Sequence, residues 1–206
     1  MHLKNNKKGF SLIEVLVSLT IFAMIMAAVI SNFRGGEFRN QLNLAAANVA
    51  SELRKAQSMV SAGTPTRVCE VAGVVGENCE DNPGLCPADC VEHVPFGGYG
   101  LVFIPGAENI TFFANTDIEN DYEELNEKVR DLSVSPTGRV MISSIVTDTG
   151  PSTELQVIFM PPANQIIFAG DVALDPSEAI ITLEHINSGE TRTITINKIS
   201  SRIDVD

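Results

Sequence analysis

The chain has 206 residues, of which 26 are acidic and 14 are basic, and its formal net charge is −12. This length is sufficient for one ordinary globular domain together with a membrane segment. The acidic balance argues against a general affinity for nucleic acid, because phosphates require Lys and Arg counter-charges. We therefore expect no nucleic-acid partner.

The N-terminus combines a basic leader with a long apolar run. Residues 1–9, MHLKNNKKG, are basic and polar, and the following 24 residues contain one charged side chain, Glu14. At ~1.5 Å rise per residue, a helix over 10–33 spans roughly 36 Å and crosses the ~30 Å hydrocarbon core of a bilayer. The preceding lysines predict a single-pass membrane protein with a cytoplasmic N-terminus and the rest of the chain outside.

Two simpler interpretations of this segment compete with a specialised one. A secretory signal has a shorter apolar core followed by small residues at its cleavage site, and this sequence matches that pattern poorly. A plain uncleaved anchor remains an alternative, but it has no use for Glu14. A carboxylate at the bilayer centre costs roughly 2.5–3.5 kcal/mol on insertion scales, so this side chain calls for a cationic partner.

The stretch KKGFSLIEVLV, residues 7–17, resembles the class III signal of type IV prepilins and type II secretion pseudopilins. The resemblance implies that a prepilin peptidase cuts between Gly9 and Phe10, after the basic pair Lys7 and Lys8, and methylates Phe10. It also implies that Glu14 is the assembly carboxylate, which meets the Phe10 amine of a neighbouring subunit.

A second helical pattern follows the apolar run. The spacing of its apolar residues predicts an amphipathic helix that ends near Gly63 and Pro65. Gly35 and Gly36 are a pair that can kink the helix. The apolar positions of this pattern are Leu42, Ala46, Val49, Leu53, Ala56 and Val60.

Beyond Gly63 the pattern changes to a period of two with turn signals between the runs. We expect an α+β fold, in which one long N-terminal helix packs on an antiparallel β-sheet head. The predicted parts are the leader 1–9, the transmembrane and stalk helix 10–62, and the head 63–206, with a linker-like stretch over 73–98. The predicted strands are 66–71, 99–104, 110–114, 129–135, 139–145, 154–160, 165–169, 179–184 and 191–196.

Parts of residues 53–145 are similar to the H-type minor pseudopilins and the T-type minor pilins. The similar segments are LRKAQS at 53–58, GTPTRVC at 63–69 and VSPTGRV at 134–140. The resemblance implies the pilin fold and a minor subunit of a pilus or pseudopilus. Some T-type members bind DNA through basic residues near the C-terminus, whereas residues 203–206 of this chain, IDVD, argue against that role.

The four cysteines lie within a segment, 69–90, that is rich in Gly, Pro, Asp and Asn. In an exported domain this predicts two disulfides, although metal ligation and free thiols remain alternatives. Three connectivities are possible. Short loop closure favours Cys69 with Cys79 and Cys86 with Cys90.

A weak calcium-loop pattern lies in the acidic run 117–124. Asp117, Glu119 and Asp121 have the opening spacing of a calcium loop, but Tyr122 and Lys128 replace its expected glycine and final glutamate. A solvated acidic loop is the simpler interpretation. We expect no resident cofactor, and the sequence contains none of the common hydrolase, zinc-protease or nucleotide-loop motifs. We therefore predict no enzymatic activity.

The sequence thus predicts a subunit that joins other pilins or pseudopilins through its N-terminal helix. The expected further partners are the prepilin peptidase, an assembly platform protein and the membrane. Two alternatives remain: a binding module displayed at a filament tip, as an adhesin or DNA receptor, or an uncleaved membrane-anchored exported domain.

Overall fold

A computed structural model describes residues 11–71, 74–78, 90–116, 127–162, 165–172 and 175–206. Within these ranges only the backbone is described at residues 30–35, 68–71, 74–78 and 90–91. The chain divides into two compact units, residues 1–39 and residues 40–206.

The described residues contain one α-helix, α1 (Leu12–Ala62), and thirteen β-strands. The helix continues through Gly35 and Gly36. The strands are β1 (Thr66–Val71), β2 (Val74–Asn78), β3 (Cys90–His93), β4 (Gly98–Phe103), β5 (Asn109–Asn115), β6 (Lys128–Ser133), β7 (Val140–Thr147), β8 (Gly150–Ser152), β9 (Leu155–Met160), β10 (Gln165–Gly170), β11 (Glu178–His185), β12 (Thr191–Asn197) and β13 (Arg202–Val205).

Helix α1 ends at the stop signal that the sequence predicts. Gly63 adopts φ +59°, a left-handed conformation that glycine takes without steric cost. Its N–H donates to the carbonyl of Val60, and the N–H of Thr64 donates to the carbonyl of Met59. These two bonds form a Schellman motif, which satisfies carbonyl groups that the helix end would otherwise leave open.

The strands of the head form three antiparallel sheets in the described part of the chain. Two have five strands each, in the orders β10-β9-β4-β5-β6 and β13-β12-β11-β7-β8. The third has three strands, in the order β2-β1-β3. Strands that are distant in sequence become neighbours, since β4 pairs with β9 and β7 pairs with β11.

The core of the head lies among the C-terminal part of α1 and the two five-stranded sheets. Each of the six apolar positions predicted from the helical spacing is buried, as the 0 % exposure of Leu53 illustrates. They share one buried cluster with Leu101 of β4 and Ile181 of β11, among others. The prediction that this half of the helix packs on a sheet is therefore confirmed, as is the α+β class. The architecture is consistent with the pilin fold.

Some details of the sequence-based fold were wrong. The stretch 73–98 was expected to be linker-like, yet it contains β2 and β3. Both strands contain valine, Val74 and Val75 in β2 and Val91 in β3, and branched side chains of this kind favour strands. The short strand β8 and the last strand β13 were not predicted.

Candidate functional site

The N-terminal turn of α1 carries the one acidic side chain of the apolar run. The carbonyl of Ser11 accepts hydrogen bonds from the N–H groups of Glu14 and Val15, which closes the first turn. Glu14 thus lies in the first turn of α1. The first N–H groups of a helix have no carbonyl partner within the helix. A negative charge at this position interacts favourably with the positive end of the helix dipole.

The polar hydroxyls of this segment are satisfied by the helix itself. Ser18 donates its hydroxyl to the carbonyl of Glu14 at 2.7 Å, and Thr20 donates to the carbonyl of Val17 at 2.8 Å. Such back-bonding removes the penalty for placing a hydroxyl in hydrocarbon. The Glu14 carboxylate, in contrast, carries a full charge and cannot be neutralised in this way.

Glu14 stands at one end of an open groove on the helix surface. The groove is lined by Glu14, Val15, Ser18, Leu19 and Phe22. Residues four apart on a helix occupy the same face, so Glu14, Ser18 and Phe22 form one row. This row presents a carboxylate next to apolar side chains, a surface suited to a partner that is apolar but supplies one cation.

The apolar segment has no cover among the residues that the structure describes. Every residue from 11 to 29 is exposed, including Phe22 at 58 % and Met24 at 74 %. Within the described chain, Leu12–Val29 is a helical stretch long and apolar enough to cross a membrane, and none of it is buried. Because a large apolar surface of this kind is rarely left in water, lipid or other helices must cover it.

Several predicted site residues lie outside the described residues. These are Lys7, Lys8, Gly9 and Phe10 of the leader, Cys79 and Cys86, and Asp117, Glu119 and Asp121 of the acidic run. The described residues therefore include Glu14, but they do not include the cleavage site or the calcium-loop pattern. Among the described residues, no group of three or more His, Cys, Asp or Glu side chains is arranged to hold a metal ion.

The backbones of the other two cysteines are described, and they lie on neighbouring strands. Cys69 belongs to β1 and Cys90 belongs to β3. The antiparallel register places these two residues directly opposite one another. The sequence-based preference joined each of them to a cysteine closer along the chain.

Polar contacts between helix and sheets were not found from the sequence. Glu52 of α1 accepts a hydrogen bond from Arg130 of β6 at 3.0 Å, and the Arg130 guanidinium lies 5.3 Å from the centre of the Phe112 ring. His185 is fully buried, and its Nε2 lies 3.1 Å from Oε1 of Gln41. These partners are 78 and 144 residues apart, so no local sequence pattern could connect them.

A carboxylate on the head surface has an altered acidity. The hydroxyl and the backbone N–H of Ser177 donate to Asp148, at 2.6 and 3.1 Å, and these bonds hold the pKa of Asp148 below its ordinary value of 3.8. The contact joins the turn between β7 and β8 to the residue before β11. It is a structural contact, and it lies in the head, whereas Glu14 lies in the other compact unit.

One comparison with known families identifies part of the chain. Residues 4–30 match the family model described as the prokaryotic N-terminal methylation motif. No curated protein and no solved structure matches the chain significantly. The motif covers the leader and the apolar helix, and it supports a type IV pilin-like prepilin subunit that is anchored in a membrane.

Proposed function

We propose that this chain is a minor pilin or pseudopilin of a type IV pilus or a type II secretion pseudopilus. It is cut after Gly9, methylated on Phe10 and assembled through its N-terminal helix. The observation that carries the proposal is Glu14, a lone carboxylate on an uncovered apolar helix within a segment that matches the methylation motif.

The role of Glu14 follows from electrostatics in a medium of low dielectric constant. The charge costs up to roughly 2.5–3.5 kcal/mol if it is placed alone near the bilayer centre. Cleavage after Gly9 creates an α-amine on Phe10, four residues before Glu14. When a second subunit packs alongside, its amine neutralises the carboxylate, and the attraction between unlike charges is much stronger there than in water.

This pairing also fixes the position of one subunit along the next. Apolar side chains alone allow neighbouring helices to slide, because many axial offsets bury similar area. A single charged pair selects the one offset at which the carboxylate and the amine meet, as a buried polar group specifies register in coiled coils. The groove from Glu14 to Phe22 supplies the apolar contact beside the pair.

The topology and the partners follow from the same segment. The N-terminus stays in the cytoplasm because of the lysines in the leader, and the head is exported across the inner membrane. A prepilin peptidase processes the leader, and an assembly platform protein lifts the subunit into the filament. The similarity of residues 53–58, 63–69 and 134–140 to H-type and T-type minor subunits supports a minor rather than a major role. No catalytic activity is part of the proposal.

The docking role of Glu14 is tested by removing its charge. Glu14→Ala and Glu14→Gln are expected to be cleaved normally but lost from purified filaments, because neither side chain neutralises an amine. Ser18→Ala is the matched control, since it lies in the same groove and changes no charge. Filament content is measured by immunoblotting sheared filaments against total membranes. Incorporation of Glu14→Gln at the level of the wild type contradicts the docking role.

Processing is tested separately by mass spectrometry of the mature protein. The expected N-terminus is N-methyl-Phe10, and replacement of Gly9 by Val is expected to leave a longer precursor in the membrane fraction. If the wild-type protein retains residues 1–9 in cells with an active prepilin peptidase, the chain is a plain membrane anchor and the proposal fails.

A further inference from the structure

The strands that flank the cysteine-rich segment bring two of its four cysteines together. β1 and β3 are antiparallel neighbours, with Thr66 opposite His93 and Val68 opposite Val91. The same register puts Cys69 opposite Cys90. We propose that Cys69 and Cys90 form a disulfide that joins β1 to β3.

The distance between opposed residues suits this bond. In antiparallel pairs the Cα atoms of opposed residues are about 4.5 or 5.5 Å apart, depending on the position in the ladder. Disulfides connect Cα atoms that are about 4.4–6.8 Å apart, a range that includes both of these spacings. Opposed residues also project from the same face of a sheet, as a direct bond requires.

The other neighbour of β1 is β2, whose described residues include none directly opposite Cys69. The register between β1 and β2 pairs Val68 with Asn78 and Glu70 with Val75, and it is irregular between these two pairs. Cys69 lies at this irregularity. The direct opposition of Cys69 and Cys90 favours this pair over Cys69 with Cys79, which short loop closure had suggested.

The bond joins two strands that lie close in sequence to α1 and to β4. β1 begins four residues after the end of α1, and β3 is followed closely by β4 in the centre of a five-stranded sheet. The hydroxyl of Tyr99 in β4 donates to the carbonyl of Thr64 at 2.9 Å and ties the connection between α1 and β1 to the central sheet strand. A Cys69–Cys90 disulfide adds a covalent tie beside it and makes the residues between the two cysteines a closed loop.

The reaction requires an oxidant. Two thiols lose two protons and two electrons to the disulfide of an extracytoplasmic thiol–disulfide oxidoreductase, which becomes a dithiol. In vitro, oxidised glutathione accepts the same two electrons. Formation of the disulfide in cells therefore depends on the proposed export of the head. The choice of Cys90 as the partner of Cys69 depends on the strand register alone.

The choice of partners is read from a peptide map of the full-length protein in detergent micelles. Free thiols are alkylated first, and the chain is then digested with proteases that cut after Glu and before Asp. Trypsin alone is insufficient, because residues 68–127 contain no Lys or Arg. The double digest places the four cysteines on four peptides, which end at Glu70 or span 78–80, 81–88 and 89–92.

The expected map links the peptide that ends at Glu70 to the peptide 89–92. Cys69→Ser is expected to free one thiol on 89–92, and the control Cys86→Ser is expected to leave the Cys69–Cys90 link intact. A link from Cys69 to Cys79 or to Cys86 overturns the inference.

A second arm separates connectivity from export. The purified protein is reduced under native conditions and reoxidised with a glutathione redox couple before the same map is made. If the protein from cells carries four alkylated thiols but reoxidation gives the Cys69–Cys90 link, the connectivity is supported and the failure lies with export. Reoxidation that links Cys69 to Cys79 or to Cys86 overturns the proposed connectivity.

Discussion

Leu53 is the best single probe of how helix α1 is held in the head. Its side chain is completely buried, in a cluster that contains residues of both five-stranded sheets. Leu53→Ala removes three carbon atoms from a close-packed site, and comparable substitutions destabilise proteins by about 2.7–5.0 kcal/mol. We take about 3 kcal/mol as the expected loss. For a head of this size, that lowers Tm by roughly 6–12 °C.

Leu44 provides a control on the same helix, because its side chain is 55 % exposed. Leu44→Ala is expected to change stability by less than about 0.5 kcal/mol. Both variants are compared by urea unfolding of the full-length chain in detergent micelles, followed by circular dichroism. With an m-value of about 2 kcal/mol/M, Leu53→Ala shifts the midpoint by roughly 1.5 M. Equal midpoints for the two variants refute the docking of this helix face on the sheets.

Two further substitutions test local features of the head. Ser201 adopts φ +52°, a conformation that glycine favours. Ser201→Gly is therefore expected to leave the free energy of unfolding unchanged or to raise it by up to about 1 kcal/mol. A fall in the urea midpoint that corresponds to a loss of more than about 1 kcal/mol contradicts this reasoning. Because the folded-state pKa of Asp148 is lowered, its bonds to Ser177 stabilise the head above the ordinary pKa of 3.8 and cease to do so as pH falls through the folded-state value. Asp148→Asn is therefore expected to be less stable than the wild type at pH 7, and the difference in unfolding free energy is expected to shrink in acid. If the difference does not depend on pH, the ionised carboxylate is not its cause.

Much of the fold could be predicted because it depends on local patterns. The 3–4 spacing of Leu42 to Val60 identified the buried helix face, and alternation identified nine strands to within about two residues at most ends. Among the strands that were not predicted, β3, β8 and β13 have only three or four residues each. A run that short contains too few positions to show a period of two.

The order of strands and the pairing of distant side chains could not be predicted in this way. Strand order depends on which apolar faces share a core. For example, β4 pairs with β9 although 51 residues separate Phe103 from Leu155. The choice of Cys90 as the partner of Cys69 is of the same kind. Distance along the chain favours Cys79, whereas the register of β1 against β3 favours Cys90.

The helix α1 carries two apolar surfaces that differ in what covers them, and this difference explains why Glu14 is informative. The apolar residues from Leu42 to Val60 that face the core are at most 8 % exposed, because the head's own sheets cover them. The large apolar residues from Leu12 to Val29 are at least 41 % exposed, so lipid or other subunits must cover them. In lipid the carboxylate raises the free energy of the isolated subunit by as much as roughly 2.5–3.5 kcal/mol. Among helices that supply an amine this penalty is removed, so under the proposed function the same side chain that destabilises the subunit in the bilayer favours its transfer into the filament.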